Sequence, residues 1–415
     1  MSDTTEVLVT SDSSANLWST CVWDINTGTS IHSYKGGGVS APNTISLIGN
    51  DYMISAERLK PLLHVWPINS QETIKNTRFL CPGRVSALAV SPDGTFCAAG
   101  IEEKLYVWQI ATGRLLSIAS KHFQPITKVV FTSDVSHIVT AGEDGLMLIW
   151  PLAHLISQQA NDIISQSVVG QTDPLHTLSD HSMPIKDICI GKSGLHSRLV
   201  SVSADRTMKI YELVSGTLLL TVVFDECLTA VTMNLSETSV YVGTVGGSIF
   251  ELSLLNPPRN REYHLNKSET ALFKGHAKSI TSLSVSVDGQ TLASGSFDEQ
   301  VIIWHIQTKQ KIRTIPHKGV ITNAFFAISP KNLLVHDLKP VTMIKPFQRS
   351  TEEDSDGIIE VIHTKDQQLP HANISEFTLN KIVHVPTITE SKENGSVNGS
   401  ANKLSKKKRK RMSME

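Results

Sequence analysis

The sequence predicts an all-β fold, a seven-bladed β-propeller closed by strands from the two chain ends and followed by a disordered C-terminal tail. Regularly spaced tryptophans, recurring short strands and a change of composition near residue 346 predict it. The first four of five strand-ending tryptophans are separated by 43, 42 and 42 residues, a period typical of four-stranded propeller blades. The five tryptophans are Trp23, Trp66, Trp108, Trp150 and Trp304. Tyr211 and Phe250 occupy the equivalent positions in the long interval between Trp150 and Trp304.

A second series of strands supports the same repeat independently. Segments such as VSALAVSPDG and ITSLSVSVDG alternate apolar and polar residues and end in turn residues, which is typical of half-buried antiparallel strands. The predicted strands begin near Val85, Ile126, Ile185, Leu228, Ile280 and Val320. The two series interleave as the first and third strands of successive blades, and together they predict seven blades over residues 1–345.

The two ends of this region are predicted to share one blade. The N-terminus supplies three strands, EVLVTSD, the strand that ends at Trp23, and SIHSYK. The missing first strand is predicted to come from GVITNAFFAI at 319–328. Such closure leaves no free sheet edge, which protects the propeller from edge-to-edge aggregation.

Two inserts interrupt the repeat, at 153–172 and 255–268. The first carries apolar residues at loosely helical spacing, namely Leu152, Leu155, Ile156, Ile163 and Ile164. Each insert could be a loop that covers its own blade or a docking element for a partner, since long loops are often functional.

Three blades contain histidine, a hydroxyl residue, aspartate and an aromatic residue at matched spacing. The hydroxyl residue always lies four positions before the aspartate, and the aspartate six before the aromatic. The sets are His122, Thr140, Asp144 and Trp150; His181, Ser201, Asp205 and Tyr211; and His276, Ser294, Asp298 and Trp304.

One such set alone has the composition of a hydrolase triad. Its threefold recurrence favours instead the hydrogen-bond network of WD-repeat proteins, which satisfies polar groups buried beneath the turns. We therefore predict a structural role for the sets, with no catalytic, cofactor or metal site and no enzymatic activity. No paired-cysteine zinc spacing or HExxH motif is present.

Composition narrows the class of protein further. The 415 residues contain no apolar run long enough for a membrane span. Five widely spaced cysteines are predicted to be reduced, buried thiols. Apart from the basic run at 406–411, the chain has 32 basic and 39 acidic residues, which argues against a broad phosphate-binding surface.

Residues 346–415 are predicted to form a flexible tail. TEEDSDG is acidic, SKENGSVNGSANKLS is a polar linker, and a basic cluster follows at Lys406, Lys407, Lys408, Arg409, Lys410 and Arg411. Such a compact cluster on a linker predicts a nuclear-localisation signal. An RNA-binding patch, an anionic-surface patch and a solvated charge run remain alternatives.

Several segments together resemble the WD repeat-containing protein 18 family, which includes the propeller subunit of the fungal Rix complex. They are WSTCVWDINTG, YKGGG, CPG with LAVSPDG, LLLTVVFD, AVTMNLSE and FKGHAKSITSLSVSVDG, all within about residues 5–330. Animal relatives commonly end in a charged, heptad-like helix, a pattern that residues 350–415 lack.

This resemblance implies a non-catalytic scaffold of a nuclear complex for large ribosomal subunit biogenesis. The implied partners are a proline-, glutamate- and leucine-rich helical scaffold, a further helical-repeat subunit, a midasin-type ATPase and large-subunit precursor particles. The implied location is the nucleolus and nucleoplasm, with some protein in the cytoplasm. The alternative is a WD-repeat adaptor in a chromatin, transcription, DNA-replication or ubiquitin-ligase complex.

Overall fold

The computed structural model describes residues 6–75, 77–162, 173–258, 260–265, 271–335 and 340–350. These residues form seven antiparallel sheets, each built around four strands, and the innermost strands of neighbouring sheets pack on one another. The chain is therefore a seven-bladed β-propeller, as the repeat predicts. We call the strands of a blade a to d, from the central channel to the rim.

The first three blades are formed mainly by the N-terminal part of the chain. Blade one takes β1 (Glu6–Asp12), β2 (Thr20–Asp24) and β3 (Ser30–Tyr34). Blade two has β4 (Ser46–Ile48), β5 (Tyr52–Ala56), β6 (Leu62–Pro67) and β7 (Phe79–Leu80). Blade three has β8 (Val85–Val90), β9 (Phe96–Ile101), β10 (Lys104–Gln109) and β11 (Leu115–Ser120).

Blades four and five follow, with one helical element in each. Blade four has β12 (Ile126–Phe131), β13 (His137–Gly142), β14 (Met147–Pro151), α1 (Leu152–Asp162) and β15 (His176–Leu178). Blade five has β16 (Ile185–Ile190), a 3-10 turn (Gly194–His196), β17 (Arg198–Ser203), β18 (Thr207–Glu212) and β19 (Leu218–Val223).

The last two blades precede the strand that returns to blade one. Blade six has β20 (Leu228–Met233), β21 (Ser239–Thr244), β22 (Ser248–Ser253) and β24 (Ala271–Lys274), with β23 (Glu262–His264) in its insert. Blade seven has β25 (Ile280–Val285), β26 (Thr291–Ser296), β27 (Gln300–His305) and β28 (Lys311–Pro316). Strand β29 (Ile321–Ile328) and a 3-10 turn (Lys331–Leu334) complete the described elements.

The chain ends close the ring as predicted. Strand β29 pairs antiparallel with β1, from Glu6 opposite Ile328 to Ser11 opposite Asn323, and becomes strand a of blade one. The predicted start at Val320 is off by one residue, since the strand begins at Ile321. The pairing satisfies the backbone groups of both terminal strands and leaves neither as a free inner edge.

The hydrophobic core lies between blades. Alternate residues of each sheet face the next blade, so each buried cluster combines side chains from neighbouring sheets, as Val107 and Ile126 do between blades three and four. Four of the repeating tryptophans, Trp66, Trp108, Trp150 and Trp304, are among the largest fully buried side chains.

The two inserts have different structures. In the first, Leu152 and Leu155 of α1 are buried in the cluster between blades three and four. The second reaches the neighbouring blade: β23 pairs parallel with β19 of blade five, Val222 lying opposite Tyr263, and makes a five-stranded sheet. The insert at 255–268 therefore extends blade five and does not simply cover its own blade six. Residues 163–172, 259 and 266–270 lie outside the described residues.

A segment that we call the strap, residues 329–335 and 340–350, follows β29. Asp51 of blade two accepts hydrogen bonds from Asn332 Nδ2 (2.8 Å) and from the backbone N–H of Thr342 (2.8 Å). Further along, the ring of Phe347 stacks on Trp108 with centroids 5.2 Å apart. Packing thus continues past residue 345, the predicted end of the propeller, because Phe347 fills an apolar gap between blades two and three. The rest of the predicted tail, 351–415, lies outside the described residues.

The cysteines are unpaired, and three of the five are buried, namely Cys21, Cys81 and Cys97. Cys227 is exposed, so the prediction that every thiol is buried is wrong at this position. It lies in the loop between β19 and β20, where side chains face solvent. Among the described helices, none has the length and apolar character required to cross a membrane.

Candidate functional site

The sequence-predicted set of blade four is assembled by three segments of the blade. His122 precedes strand a, Thr140 lies in strand b, and Asp144 lies in the turn between strands b and c. His122 Nδ1 is 3.0 Å from Asp144 Oδ2, and its Nε2 is 2.9 Å from Thr140 Oγ1. The indole N–H of Trp150 donates to the same hydroxyl at 3.0 Å. All four predicted residues therefore form one continuous chain of hydrogen bonds.

Blade seven repeats this geometry. His276 Nδ1 is 2.9 Å from Asp298 Oδ2, and its Nε2 is 2.7 Å from Ser294 Oγ, which also accepts from Trp304 Nε1 at 2.8 Å. Burial lowers the pKa of His276, although Asp298 opposes that effect. Burial raises the pKa of Asp298, but hydrogen bonds from His276 and from the Ala277 N–H outweigh it and hold that pKa below its ordinary value. The pair favours a neutral imidazole beside an ionised carboxylate.

The set of blade five has one hydrogen bond fewer, because its aromatic residue does not take part. His181 lies 2.9 Å from Asp205 Oδ2 and 2.7 Å from Ser201 Oγ. The hydroxyl of Tyr211, in the position of the tryptophan, is buried without a hydrogen-bond partner among the described residues. Burial, with the nearby Asp180 carboxylate, raises the pKa of Tyr211. Hydrogen bonds join the histidine, serine and aspartate of this set, whereas the ring of Tyr211 contributes packing and not a hydrogen bond.

A fourth set, which the repeat spacing does not predict, closes blade one. Thr10 Oγ1 is 2.9 Å from His317 Nε2 and accepts from Trp23 Nε1 at 2.7 Å. A backbone carbonyl, that of Ile315, lies 3.3 Å from His317 Nδ1, where the other sets have a carboxylate. The sequence gives only a weak indication of this set, because its hydroxyl residue lies thirteen residues before the tryptophan, whereas the spacing in blades four and seven is ten.

The tryptophans of blades two and three use backbone acceptors. Ten residues before each of them the sequence has Ala56 or Ala98, which offers no hydroxyl. Trp66 Nε1 donates to the carbonyl of Lys35 at 2.8 Å, and Trp108 Nε1 donates to the carbonyl of Gln348 in the strap at 2.8 Å. Every indole N–H in the repeating position thus has a partner, as burial requires.

The middle glycine of the YKGGG segment, Gly37, lies against the buried ring of Trp66. A Cβ at this position would lie 2.3 Å from the Trp66 ring, as a Cβ at Gly275 would lie 2.7 Å from Trp304. The two glycines therefore occupy the same place beneath a buried indole. Glycine is required there because the ring fills the space of a side chain.

The hydroxyl groups of the three predicted sets are not accessible to a substrate. Thr140, Ser201 and Ser294 each have 0% of their surface exposed, and the latter two would be the nucleophiles of any triad. A nucleophile must approach a substrate carbonyl to about 3 Å, and these hydroxyls face only their own blade. Within the described part of the chain, no group of three or more metal-binding side chains is assembled. The nuclear-localisation residues Lys406–Arg411 lie outside the described residues.

Comparison with known proteins identifies the repeat and the family. The family model described as WD domain, G-beta repeat, matches residues 113–151, 172–212 and 267–305. WD repeat-containing protein 18 of Rattus norvegicus is 37% identical over 346 residues, 83% of this chain and 78% of the relative. The protein of the same name from Danio rerio is 37% identical over 361 residues, 86% of this chain and 81% of the relative.

A more distant relative is the pre-rRNA-processing protein pro-1 of Caenorhabditis elegans. It is 28% identical over 331 residues, 77% of this chain and 61% of the relative. The two closer similarities each cover more than four fifths of this chain. The chain belongs to the WD repeat-containing protein 18 family.

Proposed function

We propose that this chain is a non-catalytic scaffold subunit of a nuclear complex that processes pre-rRNA and matures large ribosomal subunit precursors. The observation that carries the proposal is the similarity, over 77% of the chain, to a protein named for pre-rRNA processing. The absence of exposed surface on the Thr140, Ser201 and Ser294 hydroxyls supports a scaffold role over hydrolysis by these sets.

The inserts offer a surface for a partner in such a complex. They lie between strands c and d of blades four and six, and β23 brings the second insert onto blade five. Beside β23, Leu219 and Leu255 are 48% and 69% exposed, and Pro257 and Pro258 face the same small cavity as Leu219. Exposed aliphatic side chains around a strand edge favour docking of an apolar partner surface.

For the partners, we propose those that the family resemblance implies. They are the proline-, glutamate- and leucine-rich helical scaffold, a further helical-repeat subunit, and precursor particles with a midasin-type ATPase. We propose Lys406–Arg411 as the nuclear address, since six adjacent cations suit capture by an import receptor. The proposed location is the nucleolus and nucleoplasm, with a cytoplasmic fraction.

The test is purification of the tagged full chain from nuclear extract, followed by identification of its companions and sedimentation against large-subunit precursors. Recovery of the helical scaffold and precursor particles is expected, and depletion of the chain should cause unprocessed pre-rRNA to accumulate. A Leu219→Glu, Leu255→Glu variant should lose the scaffold, whereas Leu235→Glu, in the turn between β20 and β21, should retain it. Recovery of chromatin, replication or ubiquitin-ligase subunits instead would replace this proposal with an adaptor role.

A further inference from the structure

The central channel opens into a cavity of about 670 Å³ that we call the mouth, lined by residues that include Arg58, Arg84, Glu143, Lys186 and Phe297. It lies on the upper face, formed by the connections from strand d of one blade to strand a of the next and by the turns between strands b and c. Loops on such a rigid ring can hold side chains from several blades around a single ligand.

Three cations at the mouth lack an acidic partner. Arg58, Arg84 and Lys186 are exposed, and within the described part of the chain none forms an ion pair. One carboxylate, Glu143, lines the same cavity. The mouth therefore has an excess of cations, whereas the chain without the 406–411 cluster has more acidic than basic residues.

The backbone presents one of these cations through an irregularity of its strand. In β16, Ile185 lies opposite Ser203 and Asp187 opposite Val202, so Lys186 is the extra residue of a β-bulge. A bulge leaves its extra residue outside the ladder and redirects the side chain. Lys186 is thereby directed to the mouth, while the flanking residues Ile185 and Asp187 are buried.

Below the mouth the channel is bridged by a partly buried polar contact. Lys128 Nζ lies 2.7 Å from Asn43 Oδ1 and 3.1 Å from Asp187 Oδ1. These three residues line a second cavity of about 270 Å³, and Asn43 lines both cavities. Since Lys128 is already paired with Asp187, the unpaired positive charge of the channel lies at the mouth.

Exposed apolar side chains surround the mouth on the upper face. Phe297, in its wall, is 48% exposed, and Phe123, in the connection before β12, is 83% exposed. Leu59, in the turn after β5, is 67% exposed and is adjacent in sequence to Arg58. Arginine beside exposed aromatic and aliphatic groups is typical of the central part of a protein interface.

We infer that the mouth binds an acidic, leucine- or phenylalanine-containing peptide segment of a partner protein. Its carboxylates pair with Arg58, Arg84 and Lys186, and its apolar residues cover Phe123 and Phe297. Guanidinium groups suit this role because they bind carboxylates in a bidentate geometry. The inference does not depend on the proposed role in pre-rRNA processing, because it concerns only the charge and shape of the mouth.

A peptide fits this site better than RNA does. A nucleic acid backbone needs a continuous basic track, whereas the mouth holds three unpaired cations and the upper face around it also carries exposed carboxylates. Exposed acidic residues such as Glu102, Asp225 and Glu299 occupy the same upper face and would repel an extended phosphate chain. A short acidic segment places its charges within the cavity and leaves those carboxylates in solvent.

The test is fluorescence anisotropy with a labelled peptide of alternating glutamate and leucine, using the full chain with Lys406–Arg411 changed to glutamine. This background removes attraction to the tail cluster. Binding is expected to weaken as salt rises and to fall about tenfold in an Arg58→Ala, Arg84→Ala, Lys186→Ala variant. The matched control, Lys192→Ala, Arg261→Ala and Lys331→Ala, removes equal charge from exposed sites away from the mouth and should bind normally.

Several results would overturn the inference. They are no binding of the acidic peptide, equal loss in the control variant, equal binding of a peptide with lysine in place of glutamate, or tighter binding of labelled single-stranded RNA at the mouth. Stronger peptide binding after neutralising the acidic residues of 351–357 would assign the mouth to the chain's own tail instead of a partner.

Discussion

Thr10 Oγ1 and His317 Nε2 lie 2.9 Å apart although 307 residues separate them in the chain. Both residues are buried, and the same threonine accepts the indole N–H of Trp23. The hydrogen bond joins the N-terminal strand β1 to the connection that leads into β29. Closure of the propeller therefore depends on a polar network as well as on the β1–β29 ladder.

His317→Ala should lower the free energy of unfolding by about 1–3 kcal/mol, because it leaves the Thr10 hydroxyl one partner short in a buried site. Urea unfolding of the full chain measures this as a lower midpoint at an unchanged slope. His196→Ala, at an exposed histidine of blade five, is the control and should leave the midpoint unchanged. Equal midpoints for the two variants would mean that the Thr10 contact contributes nothing to closure.

Ser294→Ala tests whether the three predicted sets are structural. It removes the acceptor of Trp304 Nε1 and the partner of His276 Nε2 together, so a loss of about 1–3 kcal/mol is expected. Tyr211→Phe should be neutral or slightly stabilising, because its buried hydroxyl has no partner among the described residues. Thermal melting compares both with the parent chain. An unchanged melting temperature for Ser294→Ala, together with loss of a hydrolytic activity, would reverse the structural assignment.

The sequence predicts the repeated part of this fold well, because blade periodicity is a local property of the chain. Five of the six predicted inner-strand starts, such as Val85 and Ile280, coincide with strand starts. The missing inner strand, β4, has only three residues, too few to show alternation. Likewise, β23 is recognisable only from its pairing with blade five.

The unpredicted contacts have a common physical cause. The Trp108 indole is satisfied by the carbonyl of Gln348, and a backbone carbonyl can come from any residue type. His317 could be matched with Thr10 only once the register of the β1–β29 pairing was known. Side-chain spacing identifies a network made within one blade, whereas contacts between distant segments leave no fixed interval in the sequence.

Stability should decline as pH falls below about 6.5, the pKa of an unfolded histidine. Burial lowers the pKa of His137, His276 and His317, so the unfolded chain binds more protons than the folded chain below that pH. Each group contributes a slope of at most about 1.4 kcal/mol per pH unit. The lowered pKa values of Asp144 and Asp298 add a further loss only as pH falls through the acid range below about 4.

Urea unfolding on either side of pH 6.5 measures the histidine effect. A His276→Gln, His317→Gln variant should be less stable at neutral pH, but its stability should depend less steeply on pH. A parent chain that became more stable on acidification from pH 7 would contradict the assignment of neutral, buried imidazoles.

The strap should stabilise the propeller through Phe347. This ring is 5% exposed and packs against Trp108 and Phe79, so Phe347→Ala should cost about 3–5 kcal/mol. Ending the chain after Lys345 should have at least the same effect, because it also removes the Gln348 carbonyl from Trp108 Nε1. A chain that ends after Ser350 is the control and should unfold like the full chain. Equal stability of the two truncated chains would return the propeller boundary to residue 345.

Neutralising Lys406–Arg411 should move the protein from the nucleus to the cytoplasm. We proposed these cations as the nuclear address, and replacing all six with glutamine removes the charge and the hydrogen-bond geometry that an import receptor would recognise. Imaging of a fluorescent fusion measures the shift, and the melting temperature of the purified variant should equal that of the parent because the described propeller ends before the cluster. Changing the acidic residues of 351–357 to their amides is the control for altered tail charge and should leave the fusion nuclear. Unchanged nuclear accumulation of the glutamine variant would show that the chain enters with a partner or through another signal.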